Sequence, residues 1–141
     1  MPAFLAGLLL ALAGAAAQAE MRQFGDIEVH YSVFGSSFLQ PEVAAAYGIV
    51  RARDRALINV AVRRGAAADA GTLAAAVSGT HSDLIHKQAL EFREIREGDA
   101  VYYIAEVDFI HGETRYFRIA ITPAGETRPL ELEFSQVLYA D

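Results

Sequence analysis

Alternation of apolar and polar residues is the clearest pattern in the chain, and it predicts β-strands. Over residues 26–34 the odd-numbered positions from Ile27 to Val33 are apolar, and the positions between them are mostly polar. A period of two is typical of a strand with one buried face. The same reasoning predicts a second strand over residues 56–63 and a weaker one over residues 72–78, whose alanines could equally be helical. A loop over residues 65–71 is predicted between them, and a turn over residues 79–83 after the second.

The C-terminal half carries the strongest strand signal. Four strands are predicted there, over residues 84–96, 100–110, 114–122 and 130–138. Glycine-containing turns and a proline-bounded loop separate them. A two-residue turn at Glu97-Gly98 would keep the apolar rows of the first two strands on one side. A hairpin joining the next two would pair Val107 with Ile119 and place Asp108 opposite Arg118.

One short helix is predicted near residues 41–47. Pro41 suits a first helical position, where its missing N–H group costs nothing, and Gly48 suits the end of a helix. This helix is expected to close one end of the sandwich above Phe34, Phe38 and Leu39. Together the elements predict an all-β fold, a single antiparallel two-sheet sandwich with about seven strands. An immunoglobulin-like topology is the first choice, and a strongly curved half-barrel is the second.

The N-terminal segment predicts export. Residues 4–17 are apolar or small, and the triplet Ala17-Gln18-Ala19 has the small-x-small form of a signal peptidase site. We therefore predict a signal peptide over residues 1–19, cleavage after Ala19, a single domain over residues 20–141 and a periplasmic location. Two alternatives exist. The run could be a membrane anchor, although it is short for one, or translation could start at Met21 and give a cytoplasmic protein.

Composition narrows the chemistry. The chain has no cysteine, which excludes disulfides and a lipid-modified N-terminal cysteine. We therefore expect no stable membrane anchor once the signal peptide is removed. The net charge of −6 disfavours nucleic acid and anionic lipid as partners, because both require a basic surface.

Three segments resemble a known family. They are YSVFGSSFLQPEVAAAYGI at 31–49, RALINV at 55–60 and REIREGDAVYY at 93–103. Together they resemble the domain-of-unknown-function family 4426, a group of small exported proteins of Gram-negative bacteria. The resemblance implies one periplasmic domain and carries no activity, substrate or cofactor.

No residue pattern points to a metal or a cofactor. His81, Asp83 and His86 form the one metal-like cluster, but His81 and His86 would point to opposite faces of a strand. Solvated loop histidines are the expected outcome there. His30 and His111 show no partner in the sequence.

Catalytic motifs are also missing from the sequence. It contains no Gly-x-Ser-x-Gly elbow and no cysteine nucleophile. Ser36 and Ser37 are expected to serve a turn, and Glu106 and Asp108 are expected to make ordinary surface ion pairs. We therefore predict that the protein is not an enzyme and has no cofactor.

One sheet face carries residue types that interfaces favour. The outer face of the C-terminal strands is predicted to present tyrosine, arginine and isoleucine side chains: Arg93, Tyr102, Ile104, Ile110, Tyr116 and Arg118. This predicts a binding or accessory domain that contacts an envelope protein or peptide through a sheet face or an edge strand. If the helix or the alanine-rich segment covers this face, the same residues become core.

Two other functions remain open. A pocket at the end of the sandwich could bind a small ligand or support catalysis, with a lining of aromatic and histidine side chains: Phe34, Phe38, Tyr47 and His81. The domain could also be a purely structural component of the envelope.

Overall fold

The computed structural model describes residues 19–65 and 71–140. These residues form nine strands, a 3₁₀ turn at Ser36–Phe38 and one short helix. The strands are β1 (Glu20–Phe24), β2 (Ile27–Gly35), β3 (Arg55–Arg64), β4 (Ala75–Ser82), β5 (Lys87–Leu90), β6 (Arg93–Glu97), β7 (Ala100–Asp108), β8 (Glu113–Pro123) and β9 (Leu130–Leu138), and the helix is α1 (Pro41–Ala46).

The strands form two antiparallel sheets. Sheet A has the order β1-β2-β3-β7-β6, and sheet B has the order β5-β4-β8-β9. This confirms the predicted two-sheet antiparallel sandwich, and the arrangement fits the immunoglobulin-like choice. The described residues form nine strands rather than about seven for two reasons. β1 was not predicted, and the predicted strand at 84–96 divides into β5 in sheet B and β6 in sheet A.

The main core lies between the two sheets. The odd-numbered apolar positions of β2 point into it, as the alternation predicts, and Val29 and Val33 are fully buried. Three aromatic rings join the sheets: the ring centroid of Phe134 lies 4.6 Å from that of Tyr31 and 4.8 Å from that of Phe117. Burial of these apolar surfaces is the main stabilising contribution in a domain without disulfides.

A second core lies on the outer face of sheet A. Helix α1 packs there, with Val43 and the preceding Leu39 buried against Leu57 and Ile104. The prediction that the helix closes one end of the sandwich is therefore wrong. Sheet A presents apolar residues on both faces of β3 and β7, so its outer face needs a cover, and α1 supplies it.

Two predicted connections differ in the structure. The β6–β7 turn is Gly98-Asp99 rather than Glu97-Gly98, with Glu97 paired to Ala100; Gly98 has the positive φ that a first position of this turn requires. The turn moves by one residue, which slides the pairing of the two strands by two residues. Because side chains alternate with a period of two, they keep their predicted faces.

The predicted hairpin between β7 and β8 does not form. β7 pairs with β3 and β6 in sheet A, whereas β8 pairs with β4 and β9 in sheet B. Residues 109–112 therefore cross from one sheet to the other. As a result Asp108 accepts a hydrogen bond from Arg55 at 3.0 Å, and Arg118 donates one to Glu133 at 3.3 Å, instead of pairing with each other.

The alanine-rich segment is also displaced from its prediction. β4 begins at Ala75 and continues through Gly79 to Ser82, a region predicted to be a turn. Gly79 serves close strand approach here, because a Cβ at this position would lie 2.5 Å from the carbonyl oxygen of Arg118. The loop predicted over residues 65–71 falls largely outside the described residues. No helix within the described ranges has the length and apolar character needed to span a membrane.

Candidate functional site

Exposed apolar side chains concentrate at one end of the sandwich. We call it the crossover end, because residues 109–112 pass there from sheet A to sheet B. Of the nine large hydrophobic residues that are exposed in the described ranges, seven lie at this end: Phe38, Leu84, Ile85, Ile110, Tyr116, Val137 and Tyr139. Leu84, Ile85 and Tyr116 line one depression at this end, and Phe38, Val137 and Tyr139 line another.

The six residues predicted to share one binding face are divided by the structure. Tyr102 and Ile104 belong to the second core beneath α1, and Ile104 is fully buried. Their placement on an open face is therefore wrong, because the helix covers it. The exposed Arg93 also lies on sheet A, where its guanidinium donates to the carbonyl oxygen of Tyr47 at 2.8 Å.

The remaining three predicted residues lie elsewhere. Ile110 lies in the crossover connection with its side chain largely exposed. Tyr116 and Arg118 lie on the outer face of sheet B, on β8. These three and Arg93 are the predicted residues that are exposed.

A shallow groove of about 520 Å³ crosses this outer face. Two of the side chains that line it, Tyr116 and Arg118, come from β8. Tyr116 pairs in register with Ser82 on one side and Ser135 on the other, and Arg118 lies between Thr80 and Glu133. Tyr116 therefore lies between two serines, whereas Arg118 donates a hydrogen bond to Glu133 at 3.3 Å. We call this feature the sheet-B groove.

The β4–β5 loop forms one wall of the sheet-B groove. The Asp83 carboxylate accepts the backbone N–H groups of Ile85 at 2.9 Å and His86 at 2.6 Å, and these bonds lower the pKa of Asp83 to about 2. Leu84 has a φ of 81°, an unfavourable conformation for a leucine. Leu84 and Ile85 are 72% and 83% exposed. The carboxylate thus holds a strained loop that presents two aliphatic side chains to solvent.

Residues 84–86 were predicted to begin a strand, and no role was predicted for them as a loop. The signal was an adjacent Leu-Ile pair between Asp83 and His86, where a simple turn would be polar throughout.

β9 forms the other border of the sheet-B groove. It is the last strand of sheet B, so its second edge has no partner strand among the described residues. Nine residues long, it contains no proline, and it exposes Glu131, Glu133 and Ser135 on its outer face. A free edge of this kind can accept an added strand from another chain.

A second depression, about 290 Å³ in volume, lies at the crossover end between β2 and β9. Phe34 and Phe38 line it, together with Phe109, Val137 and Tyr139. Four residues were proposed to line a pocket at the end of the sandwich, and two of them, Phe34 and Phe38, line this depression.

The other two residues proposed for that pocket lie elsewhere. The Tyr47 hydroxyl donates a hydrogen bond to Glu97 beside α1, and burial together with this bond raises the pKa of Tyr47. His81 lies inside the sandwich with 2% of its surface exposed.

The structure separates His81 from Asp83 and His86, and the expectation of solvated loop histidines is wrong for His81, which is buried. His81 points into the core, where Arg115 donates to its Nδ1 atom, and burial followed by the nearby guanidinium lowers the pKa of His81. His86 is exposed and lies 3.4 Å from Asp83. Within residues 19–65 and 71–140, no group of three or more histidine, aspartate or glutamate side chains could hold a metal ion.

The remaining polar candidates have partners. Glu28 accepts from His30 at 2.9 Å, and His111 accepts the backbone N–H of Ala140 at 2.9 Å. The Ser36 hydroxyl donates to the carbonyl oxygen of Ala52 at 3.1 Å and accepts its N–H at 2.9 Å, so it ties two distant segments together instead of bonding the nearby backbone as predicted.

Glu106 and Asp108 share Arg55, with N–O distances of 3.6 and 3.0 Å. These are the surface ion pairs expected from the sequence.

Comparisons with known proteins support the resemblance found in the sequence. The family model described as a domain of unknown function (DUF4426) matches residues 21–141. A solved DUF4426 family protein from Pseudomonas aeruginosa PAO1 is 36% identical, with a TM-score of 0.76, over 87% of this chain and 96% of that one. A search of curated protein sequences finds no match.

Two more distant structures share the fold. One is a copper-bound variant of FetP from uropathogenic Escherichia coli strain F11, 11% identical with a TM-score of 0.61 over 89% of this chain and 97% of that one. The other is FetP from the same strain as isolated after expression in the E. coli periplasm, 12% identical with a TM-score of 0.61 over 88% and 95% of the two chains. At this identity the likeness concerns the fold alone.

Proposed function

The chain belongs to the DUF4426 family, and from this premise we propose that it is a non-enzymatic binding domain of the bacterial envelope. Its partner is an extended segment of another envelope protein, which pairs with β9 and reaches the sheet-B groove. The proposal rests on one observation: the free nine-residue edge of β9 lies beside a groove that exposes Tyr116 and Arg118.

Backbone pairing would supply most of the affinity. An added strand forms hydrogen bonds with the free N–H and C=O groups of β9 without requiring particular side chains. The groove then adds selectivity, because Tyr116, Leu84 and Ile85 provide apolar contact area beside it.

Charge defines the chemistry of the partner. Glu131 and Glu133 project from the same face of β9, and side chains of an added strand would lie directly opposite such positions. Opposite charges at facing positions stabilise strand pairs, and like charges destabilise them. The favoured partner therefore carries lysine or arginine at alternate positions of an extended segment.

A peptide selection tests this proposal. Random peptides displayed on phage are selected on the immobilised mature domain, and the strongest binders are mapped by amide chemical-shift changes. We expect alternate basic residues in the selected peptides and shifts confined to β9 and the strand carrying Tyr116. Selected peptides without alternate basic residues, or amide chemical-shift changes in sheet A, would contradict the proposal.

A matched pair of charge variants sharpens the test. The double variant Glu131→Lys with Glu133→Lys should bind the selected peptides about tenfold more weakly or worse, because attractive charge pairs become repulsive. The control, Glu42→Lys with Glu91→Lys, changes the net charge equally at two exposed sites away from β9. Equal losses in both double variants would indicate bulk electrostatics instead of strand pairing.

Export is part of the proposal. A fold shared with a protein that was expressed in the periplasm supports it, as does the apolar leader over residues 4–17. Mass spectrometry of the protein from periplasmic extract should show Glu20 as the first residue. An intact leader on the cell-associated protein would contradict cleavage after Ala19.

A further inference from the structure

A methionine and a histidine face each other on the outer side of sheet A. The register of β1 and β2 pairs Met21 with His30, and directly paired residues of antiparallel strands project from the same face. That face is the outer one, because the odd-numbered residues of β2 belong to the main core. The Cβ atoms of such a pair lie about 4.5–5.5 Å apart, so both side chains are long enough to reach a common point.

A carboxylate holds the His30 ring. The Nε2 atom of His30 lies 2.9 Å from Oε1 of Glu28, the next residue on the same face of β2. A carboxylate only accepts hydrogen bonds, so Nε2 carries a proton and the lone pair of the neutral ring is on Nδ1. Metal-binding histidines commonly have this arrangement, in which a carboxylate fixes the ring and the second nitrogen binds the metal.

Met21 and His30 are accessible, whereas the carboxylate beside them is buried. Met21 is 47% exposed and the His30 side chain 39%, but only 8% of the Glu28 side chain is exposed. On the other side of His30, β3 contributes Ala61, whose methyl group offers no competing donor. An incoming ion can therefore reach both residues, while the group that orients the ring stays in place.

The two donor types select a soft metal ion. Thioether sulfur prefers Cu(I), and imidazole nitrogen also binds copper, whereas Zn(II) is bound in proteins by thiolate, imidazole and carboxylate. Met21 is the only sulfur-containing residue after Met1, because the chain has two methionines and no cysteine. The net charge of −6 also favours the approach of a cation.

We propose that Met21 and His30 bind one Cu(I) ion on the outer face of sheet A, with Glu28 as the positioning residue. Closed metal sites serve structure, whereas sites with an open position admit a further ligand. Two exposed ligands leave such positions, so the site suits exchange of Cu(I) with another molecule. The sequence gave His30 no visible partner because β1, which carries Met21, was not predicted.

A silver titration tests the two ligands directly. Ag(I) serves as a redox-inert probe for a Cu(I) site, and nuclear magnetic resonance follows the methionine methyl groups and the histidine rings. Met21→Leu identifies the Met21 methyl signal. Ag(I) should shift the Met21 methyl and His30 ring signals together and saturate at an equimolar amount. An unchanged Met21 methyl signal, or an equal response of His86, would overturn the proposal.

Matched variants measure the contribution of each ligand. Cu(I) affinity is determined without oxygen by competition with a chromogenic Cu(I) chelator. Met21→Leu and His30→Gln should each weaken Cu(I) binding by about tenfold or more. The control is His86→Gln, because His86 is likewise exposed, 3.4 Å from the Asp83 carboxylate, but lies on the loop after β4 in sheet B, far from the β1 thioether in the chain's pairing order. Equal affinities in all three variants would refute the site.

Two further measurements separate ligation from damage to the strands. Zn(II) binding should be the same with and without Met21→Leu, and a joint loss of Zn(II) and Cu(I) would overturn the thioether assignment. Glu28→Ala should weaken Cu(I) binding about 10–100-fold, and Glu28→Gln, which keeps an acceptor oxygen, should restore much of it. Equal affinities of these two variants would overturn the positioning role. All the residues involved lie on β1 and β2, so the outcome is independent of peptide pairing with β9.

Discussion

Arg115 donates a hydrogen bond to the Nδ1 atom of His81 inside the sandwich. Arginine has no acceptor atom, so Nδ1 must accept, and His81 is held neutral with its proton on Nε2. Arg115 also donates to Glu113 at 3.1 Å. The pair joins β4 to β8 through polar side chains that are both buried.

This pair makes stability depend on pH. The folded pKa of His81 lies below its ordinary value of 6.5, first because of burial and then because of Arg115. The unfolded chain therefore binds a proton that the folded chain does not, and stability falls as the pH drops from above about 6.5 toward the lower folded pKa. Urea midpoints should fall between about pH 7 and about pH 5. His81→Gln should remove this slope, whereas the exposed control His86→Gln should retain it.

Gly79→Ala should separate β4 from β8. The added Cβ would lie 2.5 Å from the carbonyl oxygen of Arg118 and 3.0 Å from the Cα of Ile119, and backbone cannot move aside as a side chain can. We expect destabilisation of about 1–3 kcal/mol or more. Gly71→Ala is the control, because its Cβ would have no atom within 4 Å. Equal denaturation midpoints for the two variants would contradict the close strand approach.

Ile104→Ala should lower the free energy of unfolding far more than Tyr116→Ala does. Ile104 is fully buried beneath α1, so truncation leaves a cavity and should cost about 2–5 kcal/mol. Tyr116 is partly exposed on sheet B, and its loss should cost less than about 1 kcal/mol. Chemical denaturation of both variants measures the difference. A small effect at Ile104 would mean that α1 does not seal the outer face of sheet A.

Leu84→Gly should stabilise the fold or leave it unchanged. Leucine at positive φ costs about 1–2 kcal/mol, whereas glycine accepts this backbone and loses roughly 0.5–1 kcal/mol through chain entropy. Leu84→Val should be destabilising, because a β-branched residue tolerates this conformation poorly. Ile85→Gly is the comparison: Ile85 has no positive φ, so only the entropic loss remains. A higher melting temperature for Leu84→Val than for Leu84→Gly would contradict the presence of backbone strain at this position.

The sequence predicted most strands because alternation is a local signal, but it could not assign them to sheets. Residues 109–112 could close a hairpin or cross between sheets with the same turn residues, and only packing against β3 decides between them. The misplacement of Tyr102 and Ile104 had a visible cue. Residues 101–105 are uninterrupted apolar side chains, a run typical of a strand buried on both faces.

β1 was missed because its residues are mostly polar and exposed. Such a segment shows no clear alternation of apolar and polar residues. Its cue was the two-residue Gly25-Asp26 turn, which places Phe24 opposite Ile27. Phe38, Ile110 and Tyr116 of the crossover end were proposed from the sequence, but their grouping with the other exposed apolar residues there could not be predicted, because only the folded chain brings these separate segments together.

The repeated passage of the chain between the two sheets has a consequence for how the domain folds. Sheet A needs β7 beside β3, and sheet B needs β8 beside β4, so neither layer is complete until most of the polypeptide is present. Pairing between distant segments is slow because long loops must close first. Sheet A can therefore form only once β7 is available and sheet B only once β9 is, so the core between the two sheets is completed last.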